Sequence, residues 1–145
     1  MALHIEDLHE GQTFTSPELE VRADEIVAFA AAFDPQPFHT DPAAAEATFF
    51  EGLAASGWHT AGLTMRLLVA SIPLAGGLIG AGGQISWPRP TRPGDVLHVV
   101  STIERITPSR SRPDRGRVTV RCETLNQRGE AVQVLVADMV ALRRG

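Results

Sequence analysis

The most constraining feature of this sequence is a helical segment with almost no polar face. The segment from Trp58 to Ile72 is apolar over most of its circumference. A helix of this kind is normally enclosed by other structure rather than lying on a surface. The chain has 145 residues, of which 43% are hydrophobic, and no linker-like stretch divides it. We therefore expect residues 1–145 to form a single domain built around this central helix.

Four strand candidates follow the central helix, after Pro73 and a glycine-rich link. Turn residues separate them at 93–94, 113–114 and 127–129. Because strands joined by short links normally pair antiparallel, we expect one antiparallel sheet. The predicted strands are Gly80 to Trp87, Asp95 to Thr107, Arg115 to Asn126 and Glu130 to Leu142.

The front of the chain is expected to add smaller elements. We predict a short strand over Gln12 to Val21 and an amphipathic helix over Asp24 to Phe33. A second short helix is predicted over Pro42 to Thr48, since proline suits the first helical turn.

The last predicted strand is apolar on both faces. Val132, Val134, Val136 and Val140 alternate with Leu135, Ala137, Met139 and Ala141. One face can cover the central helix, and a second copy of the chain is the simplest cover for the other. The sequence therefore predicts an α+β hotdog fold, an antiparallel β-sheet wrapped around a long central α-helix, as a homodimer or a higher oligomer.

Charge and composition narrow the range of partners. The formal net charge is −4 and all 13 basic residues are arginine, a balance that argues against nucleic acid. The first residues lack the basic and apolar regions of a signal peptide, and no apolar run approaches the ~20 residues that cross a bilayer. We expect a cytoplasmic protein that does not bind membranes.

Two further features have ordinary structural interpretations. The only cysteine, Cys122, alternates with Val118 and Val120 on one predicted strand, which indicates a buried packing role and no internal disulfide. Arginines also crowd one predicted hairpin, either as a solvated turn or as a site for the phosphates of coenzyme A. They are Arg105, Arg110, Arg112, Arg115, Arg117 and Arg121.

The segment 33–41 carries the main candidate for chemistry. Asp34 and His39 lie five residues apart on a turn stiffened by Pro35 and Pro37, and such a pair can activate water. Asp34 follows the carboxyl end of a predicted helix, whose dipole is expected to raise its pKa. The same residues also fit an ordinary turn in which Asp41 caps the next helix, and spacing alone does not separate the two interpretations.

Several segments, in order along the chain, resemble the MaoC-like acyl dehydratases, relatives of the (R)-specific enoyl-CoA hydratases with the hotdog fold. They are Ile5 to Phe14, Phe29 to Ala45, Trp87 to Asp95 and Asn126 to Glu130. The resemblance implies that Asp34 and His39 hold the water that adds to C3 of a trans-2-enoyl thioester. It also implies that a backbone N–H at Gly57, where the central helix begins, stabilises the thioester enolate.

The chain departs from the family pattern at three places. Gln36 stands where the family has Asn, and Ser56 and Trp58 flank Gly57 where the family has His and Met. Pro35 adds stiffness to the turn that many relatives lack. Gln36 would brace the loop or contact the acyl group, and Trp58 would reshape the acyl pocket. Ser56 fits an N-cap better than a nucleophile, because the glycines of a G-x-S-x-G elbow are missing.

His59, on the first turn of the helix, would face the thioester or have a structural role. We take Gln36, Ser56, Trp58 and His59 as candidate substrate-binding residues.

The sequence thus predicts a hydro-lyase that hydrates trans-2-enoyl thioesters, or dehydrates (R)-3-hydroxyacyl thioesters, of coenzyme A or an acyl carrier. The five histidines are scattered and no metal-ligand spacing occurs, so no metal is predicted, and the reaction needs no redox cofactor. Two alternatives stay open: a hotdog thioesterase, and a non-catalytic subunit that binds acyl thioesters.

Overall fold

Helix α4, residues Gly57–Ser71, is the central element of the fold. The computed structural model describes residues 1–145. Ser56 caps the helix, because its side-chain oxygen accepts a hydrogen bond from the Trp58 N–H at 3.3 Å. Pro73, just beyond the C-cap Ile72, cannot continue the helix. The predicted central helix and its Ser56 cap are both confirmed.

Six strands form the antiparallel sheet that wraps around α4. Their order is β1-β4-β5-β6-β3, and β2 also pairs with β4. The four long strands match their predicted bounds within one residue at each end, so the predicted hotdog fold is confirmed. The strands are β1 Thr13–Thr15, β2 Leu19–Glu20, β3 Ile79–Ser86, β4 Val96–Pro108, β5 Arg115–Leu125 and β6 Ala131–Leu142.

The sheet differs from the sequence prediction in two places, and prolines explain both. β3 pairs with β6 and not with the next strand, β4. The segment between β3 and β4 contains Pro88, Pro90 and Pro93, which have no N–H groups to donate, so it crosses over instead of forming a hairpin. The single strand predicted over Gln12 to Val21 was wrong, because Pro17 interrupts it between β1 and β2.

One 3-10 turn, Ile5–Asp7, and three α-helices precede α4 in the front half of the chain. α1 is Ala23–Phe33, as predicted, and α3 is Pro42–Ala45, shorter than the predicted helix to Thr48. α3 stops early because the Thr48 hydroxyl hydrogen-bonds the Ala45 carbonyl at 2.6 Å. Between them lies α2, Pro37–Thr40, one helical turn where the sequence predicted only a stiffened loop.

The hydrophobic core lies between α4 and the concave face of the sheet. Leu67 and Leu68 of α4 belong to the same buried cluster as Val99 of β4 and Val120 of β5. Cys122 is fully buried there, which confirms its predicted packing role.

The opposite face of α4 is open in the single chain, contrary to the prediction of a fully enclosed helix. Met65 is 40% exposed and Val69 is 63% exposed. None of the helices combines the length and apolar character that crossing a bilayer requires. The cytoplasmic location stays a prediction.

Candidate active site

Asp34 is positioned by the end of helix α1. It is the C-cap residue, and its backbone N–H still donates to the Ala30 carbonyl at 2.8 Å. Pro35 follows and disfavours helical geometry at Asp34, so the chain turns away at this residue. The carboxylate is thereby held at the end of a rigid element, with its side chain 19% exposed.

His39 is positioned by the helical turn α2 and by one buried hydrogen bond. Its Nδ1 lies 2.6 Å from the Ala54 carbonyl oxygen, and the residue is 5% exposed. Because a carbonyl oxygen can only accept, Nδ1 carries the ring proton, and in the neutral ring Nε2 keeps its lone pair. That Nε2 lies 3.4 Å from Asp34 Oδ2. The predicted convergence of the two side chains is confirmed.

The environment of Asp34 favours its charged form. Burial raises the pKa of this carboxyl, but hydrogen bonding by the Gln36 amide and the Ser56 hydroxyl, together with the adjacent His39 ring, outweighs burial. The net pKa therefore lies below the ordinary value. The expectation that the α1 dipole raises this pKa was wrong, because short-range donors act more strongly than a helix end.

The start of α4 supplies a hydrogen-bond donor on the same side of the molecule. Gly57 is the first helical residue, and its backbone N–H has no partner within the chain. An unpaired N–H at a helix N-terminus, with the positive end of the helix dipole behind it, suits a developing oxyanion.

Asp34, His39 and Gly57 all line one pocket with a volume of about 540 Å³. The inner end is formed by buried residues, among them Ala55, Thr60 and Thr91, and the Thr60 hydroxyl donates to the Thr91 hydroxyl at 2.9 Å. Exposed aromatic side chains, Phe49 and Trp58, stand at the mouth. The pocket thus has an aromatic entrance and a closed, partly polar floor.

The other predicted site residues fall into three groups. Trp58 lines the pocket. Gln36 and Ser56 do not line it but act on Asp34, and the Gln36 Nε2 lies 2.5 Å from Asp34 Oδ1. His59 is 7% exposed and stacks on Phe29 at 4.8 Å between ring centroids, away from the pocket. The structure therefore does not place His59 where a substrate contact needs it.

Sequence reasoning missed several residues of the pocket wall. The segment that contains Trp87, Arg89 and Thr91 was noted only for its resemblance to a strand motif, and its richness in proline was the available signal that it does not pair as a strand. Phe49 and Phe50 carried no signal at all, since adjacent aromatics are usual in a core. The pocket residues not predicted are Phe49, Phe50, Ala55, Thr60, Trp87, Pro88, Arg89, Pro90 and Thr91.

The arginine-rich hairpin lies far from this pocket within the same chain. Arg115 pairs with Leu142 at the end of β6, whereas Gln133, which contacts the pocket residue Trp87, lies near the beginning of β6. At about 3.3 Å per residue these ends are separated by about 30 Å. The hairpin arginines therefore do not contribute to the pocket of their own chain.

Comparisons with known proteins agree with this architecture. A model of the MaoC like domain family matches residues 6–126. The uncharacterized protein YdeM of Bacillus subtilis is 32% identical over 121 residues, which are 81% of this chain and 84% of that protein.

Solved structures give the same result. The crystal structure of the MaoC-like dehydratase from Rhodospirillum rubrum is 59% identical, with a TM-score of 0.97 over 99% of both chains. The (R)-hydratase from A. caviae involved in PHA biosynthesis is 29% identical, with a TM-score of 0.75 over 93% of this chain and 97% of that one. The unliganded R-hydratase from Pseudomonas aeruginosa is 26% identical, with a TM-score of 0.79 over 99% of this chain and 88% of that one.

Proposed function

This chain belongs to the MaoC-like domain family, and from that premise we propose that it is a hydro-lyase that adds water reversibly to trans-2-enoyl thioesters. The observation that carries the proposal is the convergence of Asp34, His39 and the Gly57 N–H on one pocket. Similarity to two (R)-hydratases and a MaoC-like dehydratase supports it. The substrate is an enoyl thioester of coenzyme A or of an acyl carrier, or the (R)-3-hydroxyacyl thioester in the reverse direction.

The geometry of the pair suits the activation of water. Asp34 Oδ2 and His39 Nε2 are both acceptors and lie 3.4 Å apart, so one water molecule can donate a hydrogen bond to each. A water held in this way presents its lone pairs to an electrophilic carbon in the pocket. The hydrogen bond that His39 Nδ1–H donates to the Ala54 carbonyl fixes the tautomer in which Nε2 accepts.

The proton that the Asp34–His39 pair takes from water is matched by the proton that it returns to the product. The water oxygen bonds to C3 while the pair takes one proton, and the electrons of the C2–C3 double bond move to the thioester oxygen. The Gly57 N–H stabilises that oxyanion, a type of contact worth about 3 kcal/mol of barrier in other enzymes. The pair returns a proton to C2, so all atoms of water enter the product. The absence of a metal or redox cofactor stays a prediction.

Loss of the conjugated enoyl absorbance on mixing with a short-chain enoyl-CoA tests this function. We expect turnover by the wild type and a loss of about 10²-fold or more in Asp34→Asn and in His39→Gln, since each replaces one of the two proton-accepting groups by an amide that is not basic. Asp41→Asn, which alters the α3 cap outside the pocket, is the matched control and should retain activity.

The same assay separates the alternatives. Free thiol detected with a thiol-reactive dye, without hydration, would indicate a thioesterase. Binding of acyl-CoA with neither reaction would indicate a non-catalytic subunit.

We also propose that the active form is a homodimer. β3 is an edge strand whose outer backbone groups have no partner, and such an edge favours pairing with a second chain. Met65 and Val69 on α4 and Ile79 on β3 are exposed apolar side chains. A two-fold axis beside β3 would extend the sheet and cover these residues together. On the outer face of β6, for which the sequence predicted the cover of a second copy, Val134 and Val136 are already half-buried in the single chain.

A further inference from the structure

Trp87 is held in the pocket wall by contacts on opposite sides. A Cβ atom built on Gly57 would lie 2.7 to 2.9 Å from three atoms of the Trp87 ring, so the indole packs directly on the Gly57 α-carbon. The indole N–H donates to Gln133 Oε1 at 3.0 Å, and the Trp58 ring meets Trp87 edge-on at 5.3 Å between centroids. The position of the indole is therefore fixed by neighbours that themselves belong to α4 and β6.

A buried polar layer lies behind this indole. Gln133 is fully buried, and its Nε2 has no hydrogen-bond partner. Gln133 pairs in register with Thr124, whose hydroxyl lies 2.6 Å from that of Thr64 on α4. An apolar chain placed in this layer would meet the unpartnered Gln133 amide, which is unfavourable.

The direction of a bound thioester follows from the pocket's shape. Its carrier is large and charged and must extend toward the exposed mouth beside Trp58 and Arg89. The acyl group then occupies the buried end at the Thr60–Thr91 floor. Trp87, which is 39% exposed, lines the side of the pocket through the part of its ring that packs on Gly57. The indole and the floor together bound the space beyond the reacting carbons.

We propose that Trp87 is a specificity-determining residue that restricts this pocket to short acyl groups. The inference rests on the proposed function and adds the substrate class to it. The indole lines the wall along which a longer chain would have to extend. The packing on Gly57 and the bond to Gln133 prevent it from swinging aside. Removing the indole joins its volume to the pocket.

The test compares kcat/KM for crotonyl-, hexenoyl-, octenoyl- and decenoyl-CoA in the wild type and in Trp87→Leu. For the wild type we expect a fall of about tenfold or more at the step where the chain meets the indole, since one misfitting methylene already changes discrimination by that amount. Trp87→Leu should raise the ratio of long-chain to short-chain kcat/KM by about tenfold or more. The matched control is Phe14→Leu on β1, outside the pocket, which should leave this ratio as in the wild type.

An unchanged ratio in Trp87→Leu, or a wild type that prefers decenoyl-CoA, would overturn the proposal. Trp87→Phe serves as a smaller change if the leucine variant unfolds, and circular dichroism shows which variants fold. Calorimetric binding of the saturated acyl-CoA series measures the same chain-length ratio without turnover. If no enoyl-CoA is hydrated, the proposed function fails, while the binding ratio still decides whether Trp87 limits chain length.

Discussion

At the scale of single residues, the pocket is defined by what surrounds each functional atom. His39 keeps one tautomer because Nδ1 meets the Ala54 carbonyl, and Asp34 keeps its charge because Gln36 and Ser56 act as donors to it. Neither donor touches the pocket, so the amide and hydroxyl at positions 36 and 56 act through Asp34 rather than on a substrate. Gln36 thus supplies an amide donor to Asp34 at the position where the family has asparagine.

The lowered pKa of Asp34 predicts a pH-dependent contribution to stability. Since the carboxyl is more acidic in the folded chain than in the unfolded one, its contribution is complete above the ordinary pKa of about 3.9 and is lost as the pH falls through the lower folded value. Urea unfolding of the wild type and Asp34→Asn should therefore give a stability difference that is constant near neutral pH. The wild type should lose its relative advantage below about pH 4. A difference that instead favours the wild type more strongly in acid would mean that burial, which raises the pKa of Asp34, outweighs the hydrogen bonds that lower it.

The contact between Gly57 and Trp87 predicts a strong coupling. Gly57→Ala places a methyl group inside the Trp87 ring, so we expect a loss of about 1–3 kcal/mol in the free energy of unfolding. In a Trp87→Ala background the same change should have a much smaller effect, because the clash is gone. Denaturant unfolding of the two single variants and the double variant measures the coupling. Equal effects of Gly57→Ala in both backgrounds would contradict the contact.

At the scale of elements, helix α4 is joined to the sheet by polar as well as apolar contacts. Thr60 bonds to Thr91 after β3, and Thr64 bonds to Thr124 of β5, all four being buried. Thr60 and Thr64 lie one turn apart on the helix, and the capping Ser56 lies one turn before Thr60. The helix register is therefore specified by hydrogen bonds that an apolar interface would not provide.

The Thr64–Thr124 bond predicts a non-additive response to substitution. Thr64→Val and Thr124→Val each leave one buried hydroxyl with a lost partner, and each should lower the free energy of unfolding by about 1–3 kcal/mol. The double valine variant should lose less than the sum of the two, since it leaves neither hydroxyl behind. Thermal or urea unfolding of the wild type, the two single variants and the double variant measures the free energies that this double-mutant cycle compares. A fully additive result would show that the two hydroxyls do not interact.

Most elements could be predicted from sequence, and the failures share a cause. The strands β4, β5 and β6 follow from alternation and turn residues, which are local signals. The partner of β3 was not predicted, because the proline-rich segment after β3 sends the chain to a different neighbour. The helical turn α2 was not predicted either, because Pro35 and Pro37 indicated a stiff turn, although the hydrogen bonds of α2 are local.

At the scale of the whole molecule, the exposed face of α4 and the free edge of β3 predict an assembly. Val69→Glu places a charge on the face that a second copy would cover, and we expect it to convert a dimer to a monomer. Ala28→Glu, on the exposed side of α1, is the matched control and should remain dimeric. Size-exclusion chromatography with light scattering gives the mass of each protein. A wild type with the mass of one chain, or a dimeric Val69→Glu, would refute this interface.

Local signals in the sequence were enough to predict most elements, the fold class and the pairing of Asp34 with His39, because capping residues, periodicity and motif order lie along the chain. The lowered pKa of Asp34, the position of His59 outside the pocket and the contacts of Trp87 could be read only from the folded chain. Each depends on which side chains lie within a few ångströms, such as Ser56 near Asp34 and Gln133 beside Trp87. Sequence spacing does not encode such distances, since the packing of α4 against the sheet sets them.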